Sequence, residues 1–551
     1  MAKKLKKNGF VDGTLISYLS IVFTKILGVL YIIPFTALIG ENGMIIYSCA
    51  YLIYNLVLNA STSGIPTATS ILISEYNTKE LHKSKMKIYR IGNAISMGMG
   101  ITFFIILQFF ANSIADFYLN KMASSYQNVS VADVASAIRC IGVCLLVVPF
   151  LSIFRGFLQG HKVLAVSAFS QVIEQVTRIA AVLLGAYIAV RVFNLSSSVG
   201  VNIALLGAGI GALAATIYLK LKARNSDDVI IKVSDEPNTL STKTVIKKFL
   251  LHCIPIMIVA VSANIYEIVD NVLVVYTLSS LKLKDNLIIG SIISTYGPKI
   301  AMIISALAMG LTSTIVPEMS SLVAKNDLKQ ANDKLCSALN IIFAIALPIT
   351  VGIVVLSNPV YSFFYNQNGA QYGGFILKFI VPVNVISCIK ITLCMAMQGL
   401  KKTKAVCTAT ITGIIVNIIL DVPLMYLFYY LGAGQHCYIG AMISTVIGQS
   451  ICIVMILVSL RKSFNFRYGS IIKPFINSAV PSLIMGVAVF VLNYIFPVSN
   501  TRSITQIIHL GLYAVIGAVI YFVLIYLNGS VYTVFGEKTV NNVLKKLHLK
   551  R

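Results

Sequence analysis

Long apolar runs alternate with short polar breaks along the whole chain, and the runs exceed what a soluble core requires. A hydrocarbon layer of ~30 Å is crossed by ~20 mostly apolar residues of α-helix. Runs of that kind occupy 13–38, 44–67, 89–112, 134–158, 163–190 and 199–219, and a polar stretch follows at 220–244. Further runs occupy 245–278, 287–313, 331–356, 373–397, 405–431, 438–460, 474–496 and 504–527. The pattern predicts an all-α polytopic membrane protein with about fourteen transmembrane helices. The basic start before the first run imitates a secretory signal, but that run is too long and lacks a small-residue cleavage site, so it reads as the first span.

Composition sharpens this reading. Of 551 residues, 57% are hydrophobic and 11% charged, where soluble domains carry about 25% charged residues. The ten cysteines sit mostly inside apolar runs (Cys140, Cys144, Cys388, Cys394, Cys452) and read as small apolar residues, not as a disulfide framework. With the N-terminus inside, 32 of the 44 Lys and Arg fall in cytoplasmic segments or at the run ends that adjoin them (Arg90, Lys247, Lys248 and Lys334). Five (Lys121, Arg191, Lys282, Lys284, Arg502) fall outside and the other seven within runs. Loop bias of this kind sets orientation, so both termini are expected in the cytoplasm. It also makes the formal charge of +25 topogenic and lipid-facing, and no nucleic acid partner is called for.

The runs also repeat. Ile65-Pro66 with the polar helix end Ser74 to Asn77 recurs as Val316-Pro317 with Lys325 to Asp327; Phe117-Tyr118 recurs as Phe364-Tyr365, and Gln159-Gly160 as Gln398-Gly399. The order and the side of the membrane agree, which points to a duplication. The expected domains are an N-lobe of six spans at 1–221, a cytoplasmic linker at 222–244, a C-lobe of six spans at 245–460, two C-terminal spans at 461–530, and a basic cytoplasmic tail at 531–551. The tail places Val540, Val543, Leu544 and Leu547 on one side of an interfacial helix. Two six-span lobes in parallel repeat suit a transporter that binds between lobes and rocks.

A charge in mid-span costs roughly 2.5–3.5 kcal/mol on insertion scales, so it normally faces a partner or a wet cavity. The candidates are Lys25, Glu174, Arg178, Glu267, Asp270, Lys299, Lys378, Lys390 and Asp421. Arg139 and Arg155 lie nearer span ends and are expected to snorkel. Glu174 and Arg178, at i and i+4, share a face; the bland reading is an ion pair, the functional one gives Arg178 to a substrate and Glu174 to coupling. Glu267 and Asp270 share a face with no cation on their helix, so they pair across helices or take up a cation or proton. Lys25 and Lys299 are candidates for an anion, and Lys378 and Asp421 read as structural. No glycine-rich phosphate loop precedes a Lys-Ser/Thr pair, and the six histidines are scattered, so neither ATP hydrolysis nor a metal site is expected. The outer loops are nearly bare of acid/base groups, and the protein is not expected to be an enzyme.

Thr24-Lys25-Ile26-Leu27-Gly28 resembles the Ser-Arg-x-Leu-Gly signature in the first span of MurJ-type lipid II flippases. The stretches Ser63-Gly64-Ile65-Pro66 to Tyr76, Gln171 to Gln175 with Arg178, and Tyr296-Gly297-Pro298 resemble the Gram-positive branch, which includes polysaccharide exporters similar to the sporulation stage V protein B. The resemblance spans nearly the whole chain and implies the multidrug/oligosaccharidyl-lipid/polysaccharide superfamily, with a cationic central cavity lined by Lys25, Lys299 and Arg178. It implies a flippase in the bacterial plasma membrane that carries lipid II or a similar undecaprenyl-linked glycan from inner to outer leaflet, among membrane lipids and beside cell-wall synthesis machinery. No cofactor is expected. Coupling to Na⁺, to H⁺ through Glu267, Asp270 or Glu174, or to the membrane potential stays open. Lys25 stands where the signature has Arg, and Val57 stands near a second arginine of the Gram-negative branch. Rival readings are export of another lipid-linked polysaccharide unit, a cation-coupled multidrug antiporter, and a non-transporting scaffold in wall or spore assembly.

Overall fold

The computed structural model describes residues 10–78, 81–122, 129–161, 163–224, 241–305, 327–400, 402–464 and 469–535, with positions 315, 319, 322 and 466. Most of the linker, Val316-Pro317, Lys325-Asn326 and the tail from 536 lie outside the described residues. Over its described residues every apolar run of the sequence is almost wholly helical, and among them no strand occurs. Among the described residues, twelve helical stretches are long and apolar enough to cross a membrane. One of them, Thr403–Phe464, holds two of the predicted spans in 62 residues, and the first predicted span is divided between a short helix and the stretch that follows it. The protein is a multi-pass membrane protein.

The chain forms two compact units, residues 1–296 with 421–441, and 297–420 with 442–551. The first holds α1 (Phe10–Leu30), α2 (Ile32–Thr62), α3 (Ile65–Thr78), α4 (His82–Asp116), α5 (Val131–Gly142), α6 (Val148–Gly160), α7 (Leu164–Tyr187), α8 (Ser197–Arg224), α9 (Thr242–Ser280) and α10 (Asn286–Ser291). Local signals place several helix ends. Ser130 and Asp133 close a capping box at the start of α5, which satisfies donors that a helix start leaves open. Ser241 caps α9 by accepting from the Thr244 amide at 3.2 Å. Gly40, at φ 66°, breaks the backbone of α2 between the first two predicted spans, a conformation that glycine adopts without steric cost.

Polar side chains cross-link this unit where lipid supplies no partner. Ser48 and Ser291 hydroxyls lie 2.6 Å apart, and the Tyr296 hydroxyl donates to the Met44 carbonyl at 2.7 Å. The Asn271 amide donates to the Gly290 carbonyl at 2.7 Å and to Ser294 at 2.8 Å. These bonds tie α2 and α9 to α10 and the turn after it.

The second unit holds α11 (Leu328–Val355), α12 (Ser357–Tyr365), α13 (Ala370–Gly399), most of α14 (Thr403–Phe428), most of α15 (Ile439–Phe464), α16 (Gly469–Ile495), α17 (Ile504–Leu527) and α18 (Ser530–Phe535). On α16 and α17 the large apolar side chains point outward: Val487, Tyr494, Ile504, Val515 and Leu527 are all exposed. Inward go Met485, Val489, Tyr513 and Tyr521. The Tyr513 and Tyr521 hydroxyls donate to the Phe496 and Ala344 carbonyls at 2.6 and 2.7 Å, which suits a helix in lipid, because hydrocarbon offers polar groups no partner. Arg502 binds the Phe363 and Phe364 carbonyls at 2.9 and 2.7 Å, so this loop cation caps the end of α12.

Candidate functional site

Charged side chains from α1, α6, α7 and α9 gather inside the first unit, and a close helix–helix contact sets their position. A Cβ at Gly211 of α8 would stand 2.5 Å from the Glu174 carbonyl oxygen and 3.0 Å from the Arg178 Cβ. At Gly207 it would meet the Arg178 carbonyl at 3.2 Å. Glycine at both positions, four residues apart, lets the α7 and α8 backbones approach.

Glu174 then reaches α6, not its own helix. Its carboxylate lies 2.7 Å from the Arg155 guanidinium, and Arg155 also donates to the Ser170 hydroxyl at 2.9 Å. Arg155 was expected to snorkel and Glu174 to pair with Arg178; instead Arg155 turns inward. The i, i+4 spacing permits a pair along one helix, but α6 offers a fixed guanidinium that α7 grips at both Ser170 and Glu174.

Arg178 turns to α2. Its guanidinium donates to the Tyr51 hydroxyl at 3.4 Å and lies 5.8 Å from the Tyr51 ring centre, within cation–π range. Tyr51 stacks on Tyr47 with centroids 5.2 Å apart and planes inclined by 15°. The Tyr47 hydroxyl lies 3.2 Å from that of Tyr31. Sequence reasoning missed these tyrosines. The cue was available, since Tyr47, Tyr51 and Tyr54 recur at helical spacing on one face of the second span.

Lys25 is half-buried on α1, with Tyr51, Arg178 and Glu267 as its electrostatic neighbours. Glu267 in turn neighbours Asp270 and Lys25, and Asp270 is buried. The structure therefore brings Lys25, Arg178, Glu267 and Asp270 into one unit, and it occupies Glu174 with Arg155. Lys299 belongs to the second unit, buried in the stretch Asn286–Ser305. Lys390 is also buried there, while Lys378 is exposed and sits 6.0 Å from the Phe375 ring. Asp421, read from the sequence as structural, is wholly buried in α14.

Two cations thus lie in one unit with two carboxylates and are flanked by phenol hydroxyls, an arrangement with the chemistry to hold an anion. The guanidinium supplies a planar fork for phosphate oxygens and the ammonium a point charge.

Residues 10–323 match the family model described as "Polysaccharide biosynthesis protein", and residues 255–422 match the model "MatE". The lipid II flippase MurJ of Bacillus subtilis (strain 168) is 27% identical over 494 residues, 88% of each chain. The uncharacterized membrane protein YabM of the same organism is 25% identical over 98% of this chain and 96% of its own. Among solved structures, "Lipid II flippase MurJ, inward closed conformation" superposes with a TM-score of 0.64 at 19% identity, covering 93% of this chain and 98% of that one. With the family model spanning more than half of its 551 residues, the chain belongs to the polysaccharide biosynthesis protein family, within the multidrug/oligosaccharidyl-lipid/polysaccharide superfamily.

Proposed function

We propose that this protein is a flippase that carries lipid II, the undecaprenyl-pyrophosphate-linked peptidoglycan precursor, from the inner to the outer leaflet by alternating access. The observation that carries the reading is the juxtaposition of Lys25 with Arg178 inside a membrane-embedded unit. Such cations are costly in a bilayer unless a function retains them; a pyrophosphate brings about two negative charges for them to hold. The similarity to a lipid II flippase along 88% of the chain supports the same assignment.

In this reading Lys25 and Arg178 receive the pyrophosphate while the prenyl chain stays in lipid, and Lys299 is the candidate cation of the second unit. Occupation of the cations by phosphate draws them from Glu267 and Asp270, which then favour a proton or Na⁺. An inside-negative potential also drives the anionic head outward by ~2.3 kcal/mol per charge per 100 mV, so no ATP and no cofactor is required. The protein works in the bacterial plasma membrane with both termini in the cytoplasm, as a transporter and not an enzyme, beside the cell-wall synthesis machinery that consumes its cargo.

The family description favours one second reading, export of another lipid-linked polysaccharide unit on the same fold. Two experiments separate them: rescue of a bacterium depleted of its lipid II flippase, and flipping of fluorescent lipid II in proteoliposomes of the purified chain. Rescue with flipping supports lipid II. Failure of both, with normal membrane insertion, overturns it in favour of another glycan.

A further inference from the structure

We propose that Tyr51 is a positioning residue for the anion site: its hydroxyl and ring hold the Arg178 guanidinium in the orientation that receives a pyrophosphate, so that Tyr51 sets the preference for pyrophosphate over monophosphate carriers. The inference rests on the reading of Lys25 and Arg178 as the pyrophosphate site.

Arg178 has a carboxylate one helical turn away on its own helix, yet Glu174 is engaged by Arg155 at 2.7 Å. Arg178 meets Tyr51 instead, through both the hydroxyl at 3.4 Å and the ring at 5.8 Å. A phenol satisfies a guanidinium differently from a carboxylate. It takes one N–H and brings no negative charge of its own, so the remaining donors stay available to a phosphate.

Tyr51 is itself held from behind. Tyr47 covers one of its faces at 5.2 Å, in a near-parallel stack. Tyr47 is pinned by the Tyr31 hydroxyl at 3.2 Å and by Phe35, whose ring meets its own edge-on at 5.2 Å. Tyr31, Phe35 and Tyr47 are buried while Tyr51 keeps partial exposure. The ladder thus runs from a packed base to an accessible tip, and the tip carries Arg178. A long side chain fixed in this way loses little further freedom when a ligand arrives, and a planar fork rewards fixed orientation more than a point charge does. A pyrophosphate, with oxygens on two phosphorus atoms, engages the fork and the Lys25 ammonium together, whereas a monophosphate spans only one of them well.

The test measures binding of undecaprenyl pyrophosphate and undecaprenyl phosphate to the full-length protein in detergent, by native mass spectrometry, for wild type, Tyr51→Phe, Tyr51→Leu and Arg178→Ala. Melting temperature is recorded for each. Tyr51→Phe keeps the ring and is expected to weaken pyrophosphate binding by about tenfold, the loss of one hydrogen bond to a charged group, with monophosphate binding and melting temperature near wild type. Tyr51→Leu should approach Arg178→Ala, and a fifth protein carrying both Tyr51→Leu and Arg178→Ala should lose nothing further. If wild type prefers pyrophosphate, Arg178→Ala loses that preference and both Tyr51 variants retain it, the positioning role is overturned and the anion site stands. If wild type shows no preference for pyrophosphate, the anion site falls and Tyr51 with it.

Discussion

Glu174 on α7 closes an ion pair of 2.7 Å with Arg155 on α6, while Arg178, one turn further along α7, lies against Tyr51. The Glu174–Arg155 pair is largely sequestered, with side chains 23% and 14% exposed. Removing one partner of a buried pair strands the other, at a cost of about 3–5 kcal/mol for full burial; the residual exposure reduces this to about 1–3 kcal/mol. Glu174→Gln should therefore lower the melting temperature, and Arg155→Met in the same chain should restore part of the loss. Thermal unfolding of the three proteins in one detergent checks it, and a melting temperature unchanged by Glu174→Gln would show the pair to be dispensable.

Lys25 separates a transport role from a structural one. Lys25→Ala should abolish flipping of lipid II while expression and melting temperature hold, because it removes an attraction that persists in low dielectric. Lys25→Arg should retain or improve transport through bidentate phosphate contacts. Were Lys25 mainly the counter-charge of Glu267, Lys25→Ala would lower protein level, melting temperature and activity together.

Gly211→Ala tests whether helix approach sets the site. The new methyl would lie 2.5 Å from the Glu174 carbonyl oxygen, and backbone cannot swing away as a side chain can. Overpacking of this kind costs about 1–3 kcal/mol. The displacement of α7 should weaken transport beyond what stability alone accounts for, read as flipping per folded molecule; Gly98→Ala, where a Cβ meets nothing within 4 Å, serves as the control.

Orientation is checked by cysteine labelling in a background with the native cysteines replaced. An impermeant maleimide added to intact cells should modify Asn500→Cys and spare Lys243→Cys, both exposed positions. Labelling of Lys243→Cys alone would invert the topology.

Much of this protein is determined by sequence alone because a bilayer is an unforgiving solvent. Each span must be helical and mostly apolar to satisfy its own backbone, so hydropathy located every span-length helix in the described residues, though not the short α12 and α18, and the rarity of mid-span charges singled out Lys25, Arg178, Glu267 and Asp270, which the structure places in one unit. The kinship of Thr24 to Gly28 with a flippase signature was also readable, since it needs only adjacent residues. Partnership was not. Spacing along α7 proposed that Glu174 and Arg178 meet, but Arg155 and Tyr51 come from helices 19 and 127 residues away in sequence, as Glu174 minus Arg155 and Arg178 minus Tyr51 give. Which of two equally permitted pairs forms depends on how closely α7 approaches α8 and α6, and that is set by glycines at 207 and 211 together with packing on every side. A one-dimensional pattern records which faces are polar; only the tertiary structure decides what each polar group finds there, because side-chain pairing is a competition among neighbours that the chain brings together from distant segments.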